Sequence, residues 1–292
     1  MDNNKELMAL GDMMKVDEVM NDEVILIQEN EQVNHARNLM LKHGLSRVIV
    51  VDREDNPVGI VTERDLSRKL RGNGPAWKRR PIDTIAIRRV MSNGLITIDI
   101  DADLREAVET MLQKKISSVP VIDEEGLAGI VTKTDLMKFY AGKFKNRWKV
   151  SDLMTKDVVT VNQNHTLNHV ISVMDENNVE GVVVMFDSEI AGIITPANIS
   201  FAQVDDPDTG VNVEKVVFVR QTIEGEDKRK VKELMLTAED IMNEEFVTIG
   251  ADVDAVEAAK LMYDNEISHI PVVEDENLVG IITRTDIIKG IQ

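Results

Sequence analysis

An α/β fold assembled from four copies of one small unit is predicted by three observations. The phrase GhhTxxD, with h apolar, occurs as GIVTERD from Gly59, GIVTKTD from Gly129 and GIITRTD from Gly280, and as the variant GIITPAN from Gly192. Upstream of each phrase an apolar stripe of helical period closes on Met40, Met111, Met174 or Met262. Each copy opens on a two-residue lead-in, Val19-Met20, Val90-Met91, Leu153-Met154 or Ile241-Met242, followed by the short apolar runs VILI, LITI, VVTV and FVTI. Self-similarity of this length makes the repeat the unit of interpretation.

Within a copy the order is strand, helix, strand, strand, helix. The apolar run after the lead-in is the first strand. In the helix of copy two, Leu104, Ala107, Val108, Met111 and Leu112 recur at three- and four-residue intervals with Arg105, Glu106 and Glu109 between them, which places one stripe against a sheet. Runs such as VIVVD and VPVID then turn through Asp, Glu, Asn or Gly into GIVT or GIIT, a hairpin signal. The last helix begins after the Thr. A unit of roughly 50 to 60 residues buries only about 60% of its surface alone, so the copies are expected to pair. Their boundaries fall at 12–70, 84–141, 148–202 and 235–292. Glycines and prolines in the linker 71–83 exclude a continuous helix there. The connector 203–234 reads as a loop (DDPDTG), an extra strand (VEKVVFVRQTI) and a charged helix (GEDKRKVKELML) that feeds copy four.

Composition narrows the function. Hydrophobic residues at 43% and charged residues at 29% fit a globular chain. No run approaches the roughly 18 to 20 apolar residues of a membrane helix, and the polar N-terminus does not read as a secretory signal. The absence of cysteine removes disulfides, thiolate nucleophiles and sulfur-held metals, and fits the reducing cytoplasm. A net charge of -18 repels phosphate backbones and argues against nucleic acid as a partner. The five histidines are scattered; His165 and His169 lack the carboxylate of HExxH and read as a solvated helix face. There is no GxSxG, no phosphate-binding GxxxxGK[ST], no GxGxxG opening a βαβ unit, and no carboxylate pair beside a nucleophile. A non-catalytic protein is expected.

Two constellations carry the binding chemistry. In GhhTxxD the Thr can cap the last helix while the Asp three residues on answers it, a capping box. The same carboxylate can instead accept hydrogen bonds from a ribose cis-diol, with the Thr hydroxyl beside it and free amides suited to phosphate. Asp65, Asp135 and Asp286, with Thr62, Thr132 and Thr283, offer this pair; Asn198 does not. The second constellation is the start of the second strand: SRVIV from Ser46, SSVPV from Ser117, EGVVV from Glu180 and SHIPV from Ser268. Arg47 and His269 then stand at a cleft mouth as a fixed and a titratable cation, or else at a solvated strand end.

Taken in order four times, the VM lead-in, the SxhPV segment and GhhTxxD resemble cystathionine β-synthase (CBS) domains, small regulatory domains that pair into Bateman modules. The arrangement is similar to the gamma subunit of AMP-activated protein kinase and to stand-alone four-domain proteins of archaea. The resemblance implies one module from copies one and two and another from three and four, stacked into a disc. It implies AMP, ADP, ATP or S-adenosylmethionine as ligand. Ribose would fall to Asp65, Asp135 and Asp286, with Thr62, Thr132 and Thr283 on ribose or phosphate. Phosphate would fall to Arg47, Lys133, His269 and Arg284. Adenine would lie against Ile25, Ile96 and Val247 and against Val48, Val119 and Ile270. Copy three departs most, with Glu180-Gly181, Pro196 and Asn198, so its site is expected to be empty or to take a less anionic ligand.

A ligand between copies biases their orientation and passes the effect to a protein partner or a second copy. Two other readings remain beside it: an assembly module whose Thr/Asp pairs only cap helices, and an enzyme hidden in the connector.

Overall fold

Each copy folds as a small sheet with helices laid against it, in the order the repeat predicts. The computed structural model describes residues 14–70, 85–201, 214–223 and 226–292. In copy one, β1 (Leu26–Gln28) leads into α1 (Val33–His43), and β2 (Arg47–Val51) turns into β3 (Pro57–Thr62), which α2 (Glu63–Leu70) follows at once. Copy two opens on β4 (Ser92–Asn93) and continues with β5 (Ile98–Asp99), α3 (Leu104–Lys114), β6 (Ser118–Asp123), β7 (Gly126–Thr132) and α4 (Lys133–Lys143). Copy three opens on the one-turn α5 (Val150–Leu153), then β8 (Thr160–Asn162), α6 (Leu167–Asn177), β9 (Val182–Phe186), β10 (Glu189–Ile194) and α7 (Pro196–Phe201). After the paired strands β11 (Glu214–Ile223) and β12 (Glu226–Met235), copy four supplies β13 (Ile249–Gly250), α8 (Ala255–Asp264), β14 (His269–Glu274), β15 (Asn277–Thr283) and α9 (Arg284–Lys289).

In every copy the first strand runs parallel to the second and the second antiparallel to the third. A helix must carry the chain between two parallel neighbours, which is why the helical stripe sits between strands one and two. In α3 the stripe is realised: Leu104, Ala107, Val108 and Met111 are buried, and Leu112 packs partly buried against them. The Asp103 side chain caps this helix by accepting from the Arg105 amide at 2.7 Å. The stripe-closing residues Met40, Met111, Met174 and Met262 are all buried.

The connector differs from the sequence reading. Residues 226–235 form strand β12, paired antiparallel with β11 from end to end, where a charged helix is predicted. Lys, Arg and Glu favour helix by only a few tenths of a kcal/mol per residue. A strand ending three residues upstream offers a backbone partner at every position, and that pairing overrides the propensity. The predicted loop DDPDTG and the linker 71–83 lie outside the described residues.

The lead-ins are exchanged between copies. The copy-one lead-in bridges copy two, Lys15 to Asp103 and Asn21 to Ile130, while the copy-two lead-in bridges copy one through Gln32–Ala86 and through β4 on β3. Copies three and four exchange in the same way, by Lys149–Asp254, Thr155–Ile281, Thr166–Thr237 and Ile193–Asn243. Copies one and two therefore interlock as one module, and copies three and four as the other. The glycine of GhhTxxD is what lets the partner's lead-in approach. A Cβ at Gly59 would meet the Ser92 carbonyl oxygen at 2.7 Å, one at Gly129 the Asn21 oxygen and the Met20 sulfur at 2.8 Å, one at Gly192 the Asn243 oxygen at 2.8 Å, and one at Gly280 the Met154 sulfur at 2.6 Å. The Gly and the Met that mark the repeat are each other's packing partners, across copies.

Two hydrophobic cores run crosswise to this exchange. One joins copies two and four and the other joins copies one and three. Helix α4 packs on α8 and α9, and α2 packs on α7. The two modules thus meet copy one on three and copy two on four, and the TxxD helices form the junction. Among the described residues no helix is long and apolar enough to cross a membrane.

Candidate functional site

Every GhhTxxD phrase is a helix cap. Asp65 Oδ2 accepts from the Thr62 amide at 2.9 Å and from the Thr62 hydroxyl at 2.7 Å. Asp135 holds Thr132 at 2.9 and 2.6 Å, and Asp286 holds Thr283 at 3.0 and 2.7 Å. In copy three the Oδ1 of Asn198 accepts the same two bonds from Thr195 at 2.9 and 2.7 Å, so the amide reproduces the side-chain half of the capping box. In the three Asp copies capping uses Oδ2 and leaves Oδ1. Asp65 Oδ1 takes the Ser92 hydroxyl of the exchanged lead-in at 3.2 Å. Asp286 is buried, and its Oδ1 holds Lys289 Nζ at 2.7 Å and the Thr155 hydroxyl at 3.5 Å. Asp135 Oδ1 carries no partner among the described residues.

The residues between Thr and Asp cross the junction. Lys133, only 6% exposed, opens α4 and donates to the Thr285 hydroxyl of copy four at 2.7 Å while its Nζ lies 3.4 Å from Oε2 of Glu180 in copy three. Arg284 donates to the Thr134 hydroxyl of copy two at 2.9 Å and to the Ile267 carbonyl at 3.2 and 3.0 Å. Arg64 of copy one reaches Asn178 Oδ1 at 3.0 Å and lies 3.7 Å from Glu180 Oε1. The Ser200 hydroxyl in α7 donates to the Glu63 carbonyl at 2.7 Å.

The position after Ser is enclosed by this packing. Arg47 donates to the Ser46 hydroxyl through Nε at 3.1 Å and through Nη2 at 2.6 Å, and its buried Nη1 has no hydrogen-bond partner among the described residues. His269 is buried at 7% exposure, with Nδ1 2.8 Å from the Ser268 hydroxyl. A Cβ at Gly181 would lie 2.7 Å from its Nε2, so the copy-three glycine is the space that the copy-four imidazole fills. Neither residue is the solvated strand end weighed from the sequence.

Arg47, Arg64, Lys133, His269 and Arg284 therefore share one junction with Glu63 and Glu180. Burial lowers the Arg47, Lys133 and Arg284 pKa values below their ordinary range, against the pull of nearby Glu180 and, for the arginines, Glu63. Burial likewise drops His269 to about 4, so its imidazole is neutral at pH 7. Glu63 is pushed up to about 7 by burial, with Arg47 and then Arg284 opposing. Burial also pushes Glu180 upward, but Lys133, His269, Arg64 and Arg47 together outweigh it and hold the carboxylate below its usual range.

The residues expected against adenine stay with their own copies, Ile25 and Val48 at one core and Val119, Val247 and Ile270 at the other. Val48, Val119 and Ile270 are fully committed to the two cores, on the helix side of their sheets. Side chains alternate along a strand, so the opposite face carries the next residue: Ile49, Pro120 and Pro271. Ile25 and Val247 precede the short first strands and pack half-buried at the core margins, and Ile96 is 37% exposed. Glu63, Arg64 and Thr285 are legible in the sequence only as residues between Thr and Asp, and that place assigns them no contact.

The CBS domain family model matches residues 16–72, 87–142, 150–205 and 238–292, one segment per copy. Uncharacterized protein MJ1225 of Methanocaldococcus jannaschii is 26% identical over 290 residues, covering 95% of this chain and 98% of its own. Its crystal structure, described as that of an archaeal homolog of g-AMPK, superposes with a TM-score of 0.78 at 21% identity over 96% of this chain and all of that one. An uncharacterized conserved protein of Pyrococcus horikoshii superposes with a TM-score of 0.60 at 17% identity over the same shares. Uncharacterized protein MJ1404 of M. jannaschii is 37% identical over 134 residues, 44% of this chain and 32% of its own length. With four matched segments and two interlocked pairs, the chain belongs to the CBS domain family.

Proposed function

We propose that this chain is a regulatory protein that binds an adenine nucleotide, AMP, ADP or ATP, at the junction of its modules and transmits occupancy to a protein partner or a second copy. The carrying observation is the convergence of Arg47, Arg64, Lys133 and Arg284 on one place, with Arg47 Nη1 buried and without a partner among the described residues. Phosphate oxygens satisfy buried guanidinium and ammonium groups through charge-assisted bonds. The free Oδ1 of Asp135 is suited to a ribose diol, and Ile49, Pro120 and Pro271 offer the apolar sheet face that adenine requires. The relationship to MJ1225, described as a homolog of g-AMPK, points the same way. Lys133 and Arg284 already tie copy two to copy four, so a phosphate that recruits them changes how the modules meet.

Native mass spectrometry of gently purified protein, followed by calorimetric titration with AMP, ADP, ATP and S-adenosylmethionine, tests this reading. Binding tighter than about 1 mM, roughly -4 kcal/mol, is expected for at least one nucleotide. Failure of all four overturns it. The Glu180 carboxylate at the junction favours a second reading, in which the sulfonium of S-adenosylmethionine is the better guest. Competition between ATP and S-adenosylmethionine decides between the two.

A further inference from the structure

Glu180 is out of place by the logic of the repeat. Copies one, two and four carry Ser46, Ser117 and Ser268 at the same position, and in copies one and four the hydroxyl bonds to the residue that follows. In copy three that following residue is Gly181, which His269 overlies, so no side chain is left there to hold. The position is instead a carboxylate whose two oxygens are divided between cations of two different copies: Oε1 faces Arg64 at 3.7 Å and Oε2 faces Lys133 at 3.4 Å. Both separations exceed the roughly 2.7 to 2.9 Å of a tight charge-assisted bond. Glu180 neutralises the junction without locking onto it, and with 34% of its side chain exposed it has room to withdraw.

We propose that Glu180 is an intramolecular counter-anion standing where a phosphate group would bind between Lys133 and Arg64, and that it thereby discriminates against ligands of high phosphate charge. This deepens, and rests on, the adenine-nucleotide reading. A terminal phosphate arriving at Lys133 and Arg64 must displace the carboxylate or lie beside it, and either event costs binding that a ligand with fewer phosphates does not lose. The residue is a specificity element of the junction, and it tilts the chain toward AMP over ATP.

The test is calorimetric titration of the full chain with inorganic tripolyphosphate, which needs no adenosine recognition, and in parallel with AMP and ATP. Glu180→Gln removes the charge at constant size, and Glu180→Ser restores the residue of the other copies. Glu176→Gln, exposed on the same segment, is the control for net charge alone. Both Glu180 variants should bind tripolyphosphate about tenfold or more tighter than wild type, and their ATP-to-AMP affinity ratio should move toward ATP by a similar factor. Glu176→Gln should change neither. Glu180 variants that gain no more than the control overturn the inference. If they gain tripolyphosphate affinity while no adenosine ligand binds any form, the counter-anion stands and the adenine reading falls. If wild type binds nucleotide and the variants gain nothing, the reverse holds.

Discussion

At Gly280 a single methyl group decides whether the copy-three lead-in can reach copy four. The added Cβ would meet Met154 Sδ at 2.6 Å and Cγ at 3.2 Å, with the Thr155 oxygen also at 3.2 Å. At Gly59 the nearest atom is backbone, the Ser92 oxygen at 2.7 Å, with Met91 Sδ at 3.0 Å. Gly280→Ala and Gly59→Ala should each cost about 1 to 3 kcal/mol by overpacking. The first should be relieved more than the second by shortening its methionine. In a double-mutant cycle Gly280→Ala with Met154→Ala should show a favourable coupling of about 1 kcal/mol, and Gly59→Ala with Met91→Ala a smaller one. Urea unfolding midpoints check both cycles, and equal couplings would refute the backbone-versus-side-chain distinction. The Thr62–Asp65 pair was legible in the sequence because both partners of a cap lie three residues apart. The reason for Gly181 was not, because the imidazole that requires it belongs to another copy.

The helix starts contain their own control. Asn198 caps α7 with the same two bonds that Asp135 makes at α4. Asp135→Asn should therefore leave stability within about 0.5 kcal/mol of wild type, since the cap survives. Asp135→Ala removes the carboxylate half of the capping box, leaving Thr132 Oγ1 on the amide of residue 135, and should cost about 1 kcal/mol. A ribose diol distinguishes the variants differently: a carboxylate acceptor is worth more than a neutral one, so both substitutions should weaken nucleotide affinity by about tenfold or more. Thermal unfolding and titration of the same samples separate the two roles. If Asp135→Asn leaves affinity untouched, the motif only caps. The strand-helix-strand-strand-helix order was legible because it is set by local period and turn residues. Strand β12 was not, because its Lys- and Glu-rich segment takes its structure from β11 rather than from its own preference.

At the scale of the molecule, pairing one with two and three with four followed from the family resemblance, while the crosswise cores left no periodic mark in the chain. That crosswise packing brings Glu63 of copy one and His269 of copy four into the same buried junction, where they titrate in opposite senses. His269 falls from 6.5 to about 4, so between those values the unfolded chain holds more protons at this group. Stability from His269 is full above pH 6.5 and is lost as pH falls toward 4. Glu63 rises from 4.5 to about 7, so there the folded chain holds more protons, and its contribution is full below pH 4.5 and lost as pH rises through 7. Each is worth up to about 3 kcal/mol, and over the shared window they largely cancel. Wild type should therefore show little net slope from this pair. Glu63→Gln should gain stability relative to wild type as pH rises from 4.5 to 7, and His269→Gln should lose stability relative to wild type as pH rises from 4 to 6.5. Urea midpoints measured across this range for the three proteins give two difference curves of opposite sign. Parallel curves would mean that the junction opens to water before either group titrates.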